Sequence, residues 1–407
     1  MEAVFLSNLY PKEYNQLVDC SKAMPQYAAE KVCNLFLTGI EHSLSKTIDT
    51  LNIAPIGNFP FAHKMINIPS MGFDRENGAK SQNIGFCNIY GMRQFSRRKA
   101  LSDALLSWVG SKKSSKQYII GFGATQHNLY AMQAAKKSNP NVVTCLIVAD
   151  LPQFMVFSPS PIYRALKSID IKMQNSMMHH VDFFVYTCSK MEYFFRHLSK
   201  PSIATDGIID CDTIPADDMQ SNINNPIKTI LYSGGISDAY GIKELLDAFA
   251  QIDDNSFRLQ IAGSGDAMTL VNKRASADKR IEYLGLMPNS DLLKIQKKAS
   301  LLVNPRTSDQ EFTNYSFPSK TTEYLASGVP SIIFKLGGIP DEYDSHVHYF
   351  KDKSPQTMSR QMKQICELSH QDKVISKENA LSFLKNNKDY RVQGKKIIDL
   401  ITNESYR

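Results

Sequence analysis

Residues 304–330 read NPRTSDQEFTNYSFPSKTTEYLASGVP, and the fold of the chain turns on them. Ser316-Phe317-Pro318-Ser319-Lys320 puts proline and serine at a helix start, where the first-turn amides have no intrahelical acceptors and can cradle a diphosphate. Glu323 falls one turn into that helix, placed to accept hydrogen bonds from a ribose diol, while Gly328 and Pro330 end the helix before the next strand. On spacing alone the plainer reading, a well-capped helix in an ordinary α/β domain, has the stronger claim.

Working outward, the same strand-then-helix alternation recurs. Thr229-Ile230-Leu231-Tyr232 predicts a strand closed by Ser233-Gly234-Gly235, and Ile242 to Ala250 an amphipathic helix with Leu245, Leu246 and Phe249 on one face. Phe257 to Ala262 predicts the next strand, stopped by Gly263-Ser264-Gly265-Asp266, with further strands near Ile281–Tyr283, Leu301–Val303 and Ser331–Phe334. Glycines at Gly234, Gly235, Gly263 and Gly265 would let a ligand approach the backbone, although glycines also simply end strands.

The N-terminal half repeats the pattern. The run at residues 3–6 predicts a buried opening strand ending at Ser7-Asn8. Residues 118–122 and 142–148 predict further strands around a helical segment at 129–137. A fourth run, Val181 to Thr187, leads into Ser189-Lys190-Met191 and an expected helix. Between Asn52 and Met92 the chain is rich in Asn, Pro and Gly without helical period, which predicts a long loop of the kind that is functional or mobile. Residues 212–227 (DTIPADDMQSNINNPI) are polar, carry two prolines and read as a linker. The expected organisation is a Rossmann-like domain over 1–211, this linker, a second such domain over 228–377, and a helical segment over 378–407 that crosses back toward the first domain.

Composition bounds the function. The 407 residues, 43% apolar and 21% charged, suit two or three globular domains and exclude a disulfide-stapled peptide or a disordered chain. Net charge is +7, too mild to argue nucleic-acid binding; residues 1–212 hold 22 basic and 16 acidic side chains, so the basicity belongs to that half. Seven cysteines without a C-x-x-C pair suggest neither a disulfide framework nor a zinc site, and fit a reducing cytosol. The opening residues show no secretory signal, and no run reaches the ~18 apolar residues of a membrane span.

The string Ser316–Lys320 followed by Glu323-Tyr324-Leu325-Ala326-Ser327-Gly328-Val329-Pro330 resembles the nucleotide-sugar site of the family-four retaining glycosyltransferases, enzymes of the GT-B fold. The resemblance extends to Tyr232–Ile236 with Tyr240-Gly241-Ile242, to Ile261–Asp266 and to Tyr283-Leu284-Gly285, covering about residues 228–345, and is weaker in the N-terminal half. It implies an α/β GT-B architecture: two Rossmann-like doubly wound domains facing across a cleft, with a C-terminal helix packing back on the seam. It implies that Glu323 binds the nucleotide ribose, that Ser316, Phe317, Pro318 and Ser319 form the diphosphate turn, and that Leu286 and Met287 lie near the base. Two positions depart from the family. Tyr315 stands where a first glutamate is usual, Glu311 four residues upstream substituting only if the loop is longer, and Gly235 and Tyr240 stand where a basic pair usually neutralises the diphosphate. Lys320, Arg306 and Lys243 are the candidate replacement cations, with Lys320 first because it sits on the phosphate-facing turn; for the other two a solvated surface charge is as good a reading.

His127 matches loosely a family histidine near the transferred sugar, against a structural histidine, and Asp150 could orient an acceptor hydroxyl or merely start a turn. Asp210-Cys211-Asp212 imitates a metal motif of the other glycosyltransferase fold, but sits at the linker and is rejected; no metal and no cofactor are expected, the nucleoside-diphosphate sugar being a co-substrate. Residues 93–116 set Arg93, Arg97, Arg98, Lys99, Lys112, Lys113 and Lys116 around Phe95, Leu101, Leu105 and Trp108, a pattern that suits an anionic membrane surface or a core helix with a solvated face. The expected protein is a cytoplasmic, metal-independent retaining hexosyltransferase of a bacterial surface-polysaccharide pathway. It would take a UDP-linked donor and a glycan or lipid-linked acceptor, docking at the inner face of the membrane through residues 93–116. Rival readings are a non-catalytic GT-B subunit that binds a nucleotide sugar or a partner, and a GT-B sugar-nucleotide epimerase.

Overall fold

A computed structural model describes residues 1–12, 14–22, 25–75, 77–112, 116–154, 161–214, 226–309 and 311–403. Lys113 of the basic stretch, Gln310 of the deciding stretch, residues 215–225 of the expected linker and 404–407 of the tail lie outside these described residues. The chain forms two compact units, one built from Met1–Ile208 with the segment from Tyr390 onward, the other from Ile209–Asp389.

The first unit carries β1 (Glu2–Ser7), β2 (Asp49–Asn52), β3 (Asn67–Ile68), β4 (Met71–Asp74), β5 (Lys80–Asn83), β6 (Phe86–Cys87), β7 (Gln117–Phe122), β8 (Val143–Val148), β9 (Phe183–Tyr186) and β10 (Ser202–Ala204). Among the described residues its main sheet runs β10-β9-β8-β7-β1-β2-β5-β4, parallel throughout except for the β4–β5 hairpin, while β3 and β6 pair separately. β7 and β8 are buried along their whole length, which is why they read as continuous apolar runs rather than alternating ones. Strand order reverses at β1, flanked by β7 and β2, so the carboxyl ends of these three strands bound the crevice where open α/β sheets bind ligands.

Three sequence expectations for this unit change. The long loop of residues 52–92 contains the short strands β3 to β6, and its two- and four-residue strands are too brief to show a period. After β9 the chain makes 3₁₀ turns at Ser189–Phe194 and Arg196–Leu198 instead of the expected α-helix; Ser199, with φ of 49°, closes them in the left-handed region. The third concerns the helix Arg93–Ser111. It turns Leu101, Leu105 and Trp108 into the unit, and the Trp108 indole N–H donates to Asp49 Oδ2 at 2.7 Å. Leu101, Leu105 and Trp108 of the stripe expected to dock on a membrane are therefore core, with Arg97 buried beside them, while Phe95 is exposed; helical spacing is the same whether a face meets lipid or protein.

The second unit carries β11 (Lys228–Gly235), β12 (Phe257–Ser264), β13 (Ile281–Gly285), β14 (Leu301–Asn304), β15 (Ser331–Ile333) and β16 (His348–Tyr349), ordered β13-β12-β11-β14-β15-β16 and all parallel. The reversal again falls at the first strand of the unit, between β11 and β14. The helix Ile242–Phe249 seals one face with Ile242, Leu245, Leu246 and Phe249, all fully buried against β11 and β12. The helix Tyr390–Thr402 returns to the first unit and places Ile397, Leu400 and Ile401 in that unit's core.

Candidate functional site

A cavity of about 220 Å³ opens at the carboxyl ends of β11 and β12, lined by Gly234, Gly235, Gly263, Leu286, Met287 and Lys320 together with Ala262, Ser264 and Leu292. The two strands pair in register there, Gly234 beside Gly263. Gly263 has φ of 138°, and a Cβ on it would stand 1.8 Å from Gly234 O, so backbone-to-backbone approach already demands glycine at this position. The same holds for Gly265, whose Cβ would meet Ile236 O at 2.1 Å and which lies outside the cavity lining. Tyr283 ties the mouth together, its hydroxyl donating to Gly263 O at 2.9 Å.

Lys320 reaches this cavity from the helix Ser319–Ser327. Pro318 is the N-cap, with extended backbone and no side-chain cap hydrogen bond, and Ser319 beside it is exposed. No side chain caps the first turn by a hydrogen bond, and Pro318 itself is buried. Phe317 packs against Tyr343 at 5.2 Å between ring centroids and anchors the turn, so its contribution is to hold the turn rather than to line the cavity; Ser316 precedes it, half-buried. Glu323 stands behind Lys320. Its Oε1 accepts from Lys320 Nζ at 2.7 Å and from Gln296 Nε2 at 2.7 Å, and Gln296 Nε2 also donates to Ser233 Oγ at 3.1 Å. Gln296, fully buried on the helix Asn289–Lys298, thus links the end of β11 to the carboxylate. No local motif marks it; the partners lie 63 and 27 residues away and only folding brings them together.

Arg306 follows β14, half-buried, with its guanidinium over Tyr240 at 5.4 Å and Phe312 at 4.9 Å from the ring centroids. Burial lowers its pKa from the ordinary guanidinium value, yet an arginine stays charged. The same burial raises the Tyr232 phenol, whose hydroxyl donates to Gly235 O at 2.6 Å. Lys243 is a surface ion pair with Asp247 at 2.7 Å, the solvated charge of its plainer reading. Tyr315 closes the 3₁₀ turn Glu311–Tyr315, with Glu311 exposed at its start. Asp210 caps a short turn by accepting from the Asp212 N–H at 2.9 Å. Among the described residues no group of three or more His, Cys, Asp or Glu side chains gathers as a metal set, and all seven cysteines are free thiols.

His127 and Asp150 belong to the first unit, each just beyond the carboxyl end of its strand, β7 and β8 respectively. His127 is buried on the first turn of the helix Gln126–Ser138, with Nε2 3.1 Å from Thr125 Oγ1; Asp150 is exposed. Burial, and then the charges of Arg97 and Arg93, hold the His127 pKa well below the usual imidazole value.

Two Rossmann-like units with mainly parallel sheets, the second carrying this glycine-lined cavity with Lys320 at its wall, define the GT-B fold of glycosyltransferases. Residues 227–367 match the family model described as "Glycosyl transferases group 1". Comparison with curated protein sequences returns no match. Among solved structures, the α,α-trehalose-phosphate synthase (UDP-forming) from Burkholderia xenovorans, in complex with glucose-6-phosphate, is similar with a TM-score of 0.67 at 10% identity, over 99% of this chain and 100% of that one. HepE from Anabaena in complex with UDP gives 0.63 at 12% identity over 98% of each chain. The lipopolysaccharide outer core galactosyltransferase WaaB gives 0.60 at 13% identity over 98% of this chain and 99% of that one. At such identities the likeness is one of fold.

Proposed function

We propose that the protein is a retaining glycosyltransferase that moves a sugar, a hexose or N-acetylhexosamine carried on UDP, to a hydroxyl of a glycan or lipid-linked oligosaccharide in surface-polysaccharide synthesis at the cytoplasmic side of a membrane. One observation carries the reading: Lys320, on the first turn of a helix whose start has no side-chain cap, lines a cavity floored by Gly234, Gly235 and Gly263, with the Glu323 carboxylate directly behind it. A cation at a glycine-lined pocket beside a helix start suits a diphosphate, and a carboxylate one turn along suits a ribose diol. The Lys320–Glu323 ion pair is the resting arrangement; a donor would draw Lys320 to its phosphates and leave Glu323, still held by Gln296, to accept from the ribose.

In the step proposed, the acceptor hydroxyl oxygen bonds to the anomeric carbon on the face from which the nucleotide departs. The bond from that carbon to the β-phosphate oxygen breaks, its electron pair stays with the phosphate, and the hydroxyl proton passes to the departing phosphate. Lys320, the first-turn amides and Arg306 are assigned the growing negative charge, so the reading is metal-independent. With UDP-sugars supplied one by one, the purified protein should release UDP slowly, with or without a chelator. Glu323→Ala should weaken UDP binding about tenfold, and Lys320→Ala should lower turnover about a hundredfold while UDP still binds. Wild-type kinetics in both variants would remove the site from this place. Intact binding with no release across the panel would favour a non-catalytic nucleotide-sugar-binding subunit.

A further inference from the structure

The helix Arg93–Ser111 turns two of its cations toward the carboxyl edge of the first unit's sheet. Arg93 Nη1 donates to Ile56 O at 3.1 Å, and Arg97 Nη2 donates to the same oxygen at 3.3 Å and to Ala54 O at 3.1 Å. These carbonyls lie just past the end of β2, and His127 lies just past the end of β7, so the three side chains flank the end of β1 at the strand-order reversal. Arg97 is 6% exposed and His127 5% exposed. Among the described residues neither arginine has a carboxylate within ion-pair distance; Arg97 meets only carbonyls and the Phe86 ring, 4.3 Å from its centroid. Arg97 Nε and His127 Nδ1 are both buried without a hydrogen-bond partner.

Such an arrangement is costly unless something answers it. Two like charges sharing one carbonyl repel, and a desolvated guanidinium ordinarily finds a carboxylate. Thr125 Oγ1 accepts from the Asn128 N–H and lies 3.1 Å from His127 Nε2; when the hydroxyl donates to Nε2, the single ring proton of a neutral imidazole sits on Nδ1. In that tautomer the cluster offers donors only: Arg97 Nε–H and His127 Nδ1–H have no partner, and the Arg93 guanidinium has the Ile56 carbonyl.

We propose that Arg93, Arg97 and His127 form an oxyanion-binding site at the centre of the first unit, taking one carboxylate or phosphate group. The assignment of that group to the acceptor, which makes the acceptor an acidic or phosphorylated sugar, rests on the transferase reading; the binding of an oxyanion does not.

The test is a titration of the full chain with methyl phosphate and, separately, acetate, at constant ionic strength. It is followed by calorimetry and by the NMR signals of the His127 ring, assigned through His127→Gln. Saturable binding that shifts those signals is expected, about tenfold weaker in Arg93→Gln, a half-buried position where the fold should survive, and unchanged in Lys99→Gln, which removes an exposed cation outside the cluster. Preference for methyl phosphate over acetate identifies a phosphorylated ligand, and the reverse a uronate-like one. Binding that leaves the His127 signals unmoved, or that Arg93→Gln leaves intact, overturns the site. Phosphate binding without any nucleotide binding would refute the transferase reading alone, whereas nucleotide binding without oxyanion binding would refute this site alone.

Discussion

Glu323 owes its usefulness to the residues that hold it. A half-buried carboxylate on a helix surface would sample several rotamers, but donors from Lys320 and Gln296 converge on the same oxygen and fix it before any ligand arrives. Gln296→Met keeps the volume and removes both donors, so the Ser233 bridge and one of the two hydrogen bonds to Glu323 are lost together. Calorimetry with UDP should show affinity weaker by about three- to tenfold, with turnover at saturating donor less affected than KM. Equal losses in both parameters would mean that Gln296 acts on the chemical step instead. The neighbouring glycines carry a different lesson. Gly263 and Gly265 are required by the approach of β12 and its following turn to the backbone of β11, so their presence in the sequence is explained before any ligand is considered.

At the scale of elements, the return of the chain to the first unit depends on two small residues. The helix Tyr390–Thr402 packs on the helix Tyr27–Leu44 where Gly394 faces Gly39: a Cβ on Gly394 would stand 2.0 Å from Gly39 O, and one on Gly39 would stand 2.2 Å from Tyr390 O. Both obstacles are backbone, which cannot rotate aside. Gly394→Ala must push the helices apart and loosen Ile397, Leu400 and Ile401 from the core, although alanine itself favours a helix by about 1 kcal/mol over glycine. A net loss of about 1–3 kcal/mol in urea unfolding of the first unit is expected. An unchanged or raised midpoint would show that the crossing has slack.

For the molecule as a whole, one buried and two half-buried histidines couple stability to pH. Burial holds His127, His346 and His348 below the ordinary imidazole pKa of 6.5. Once unfolded they take up protons near that ordinary value, while folded they take them up only at lower pH. Below about pH 6.5 the unfolded state therefore binds more protons, and stability falls as pH falls. Urea midpoints should decline from pH 7.5 to pH 5.5, and His127→Gln should flatten the slope for the first unit; a flat profile in the parent chain would contradict the neutral burial of these rings.

Much of this was open to reading in one dimension because its cause is local. Continuous apolar runs at Tyr118–Phe122 and Val143–Val148 announce strands buried on both faces, the restart of the alternation at Thr229 announces a second α/β unit, and Pro318-Ser319 announces a helix start. What tertiary structure alone decided is which way a periodic face turns and which distant groups meet. The stripe of Leu101, Leu105 and Trp108 has the same period whether it meets lipid or core, and burial chose the core. Gln296 meets Ser233 and Glu323, and the helical neighbours Arg93 and Arg97 meet the Ile56 carbonyl, because folding brings together groups that the chain keeps far apart. Periodicity is a property of neighbours along the chain, whereas a binding site is made by partners across it.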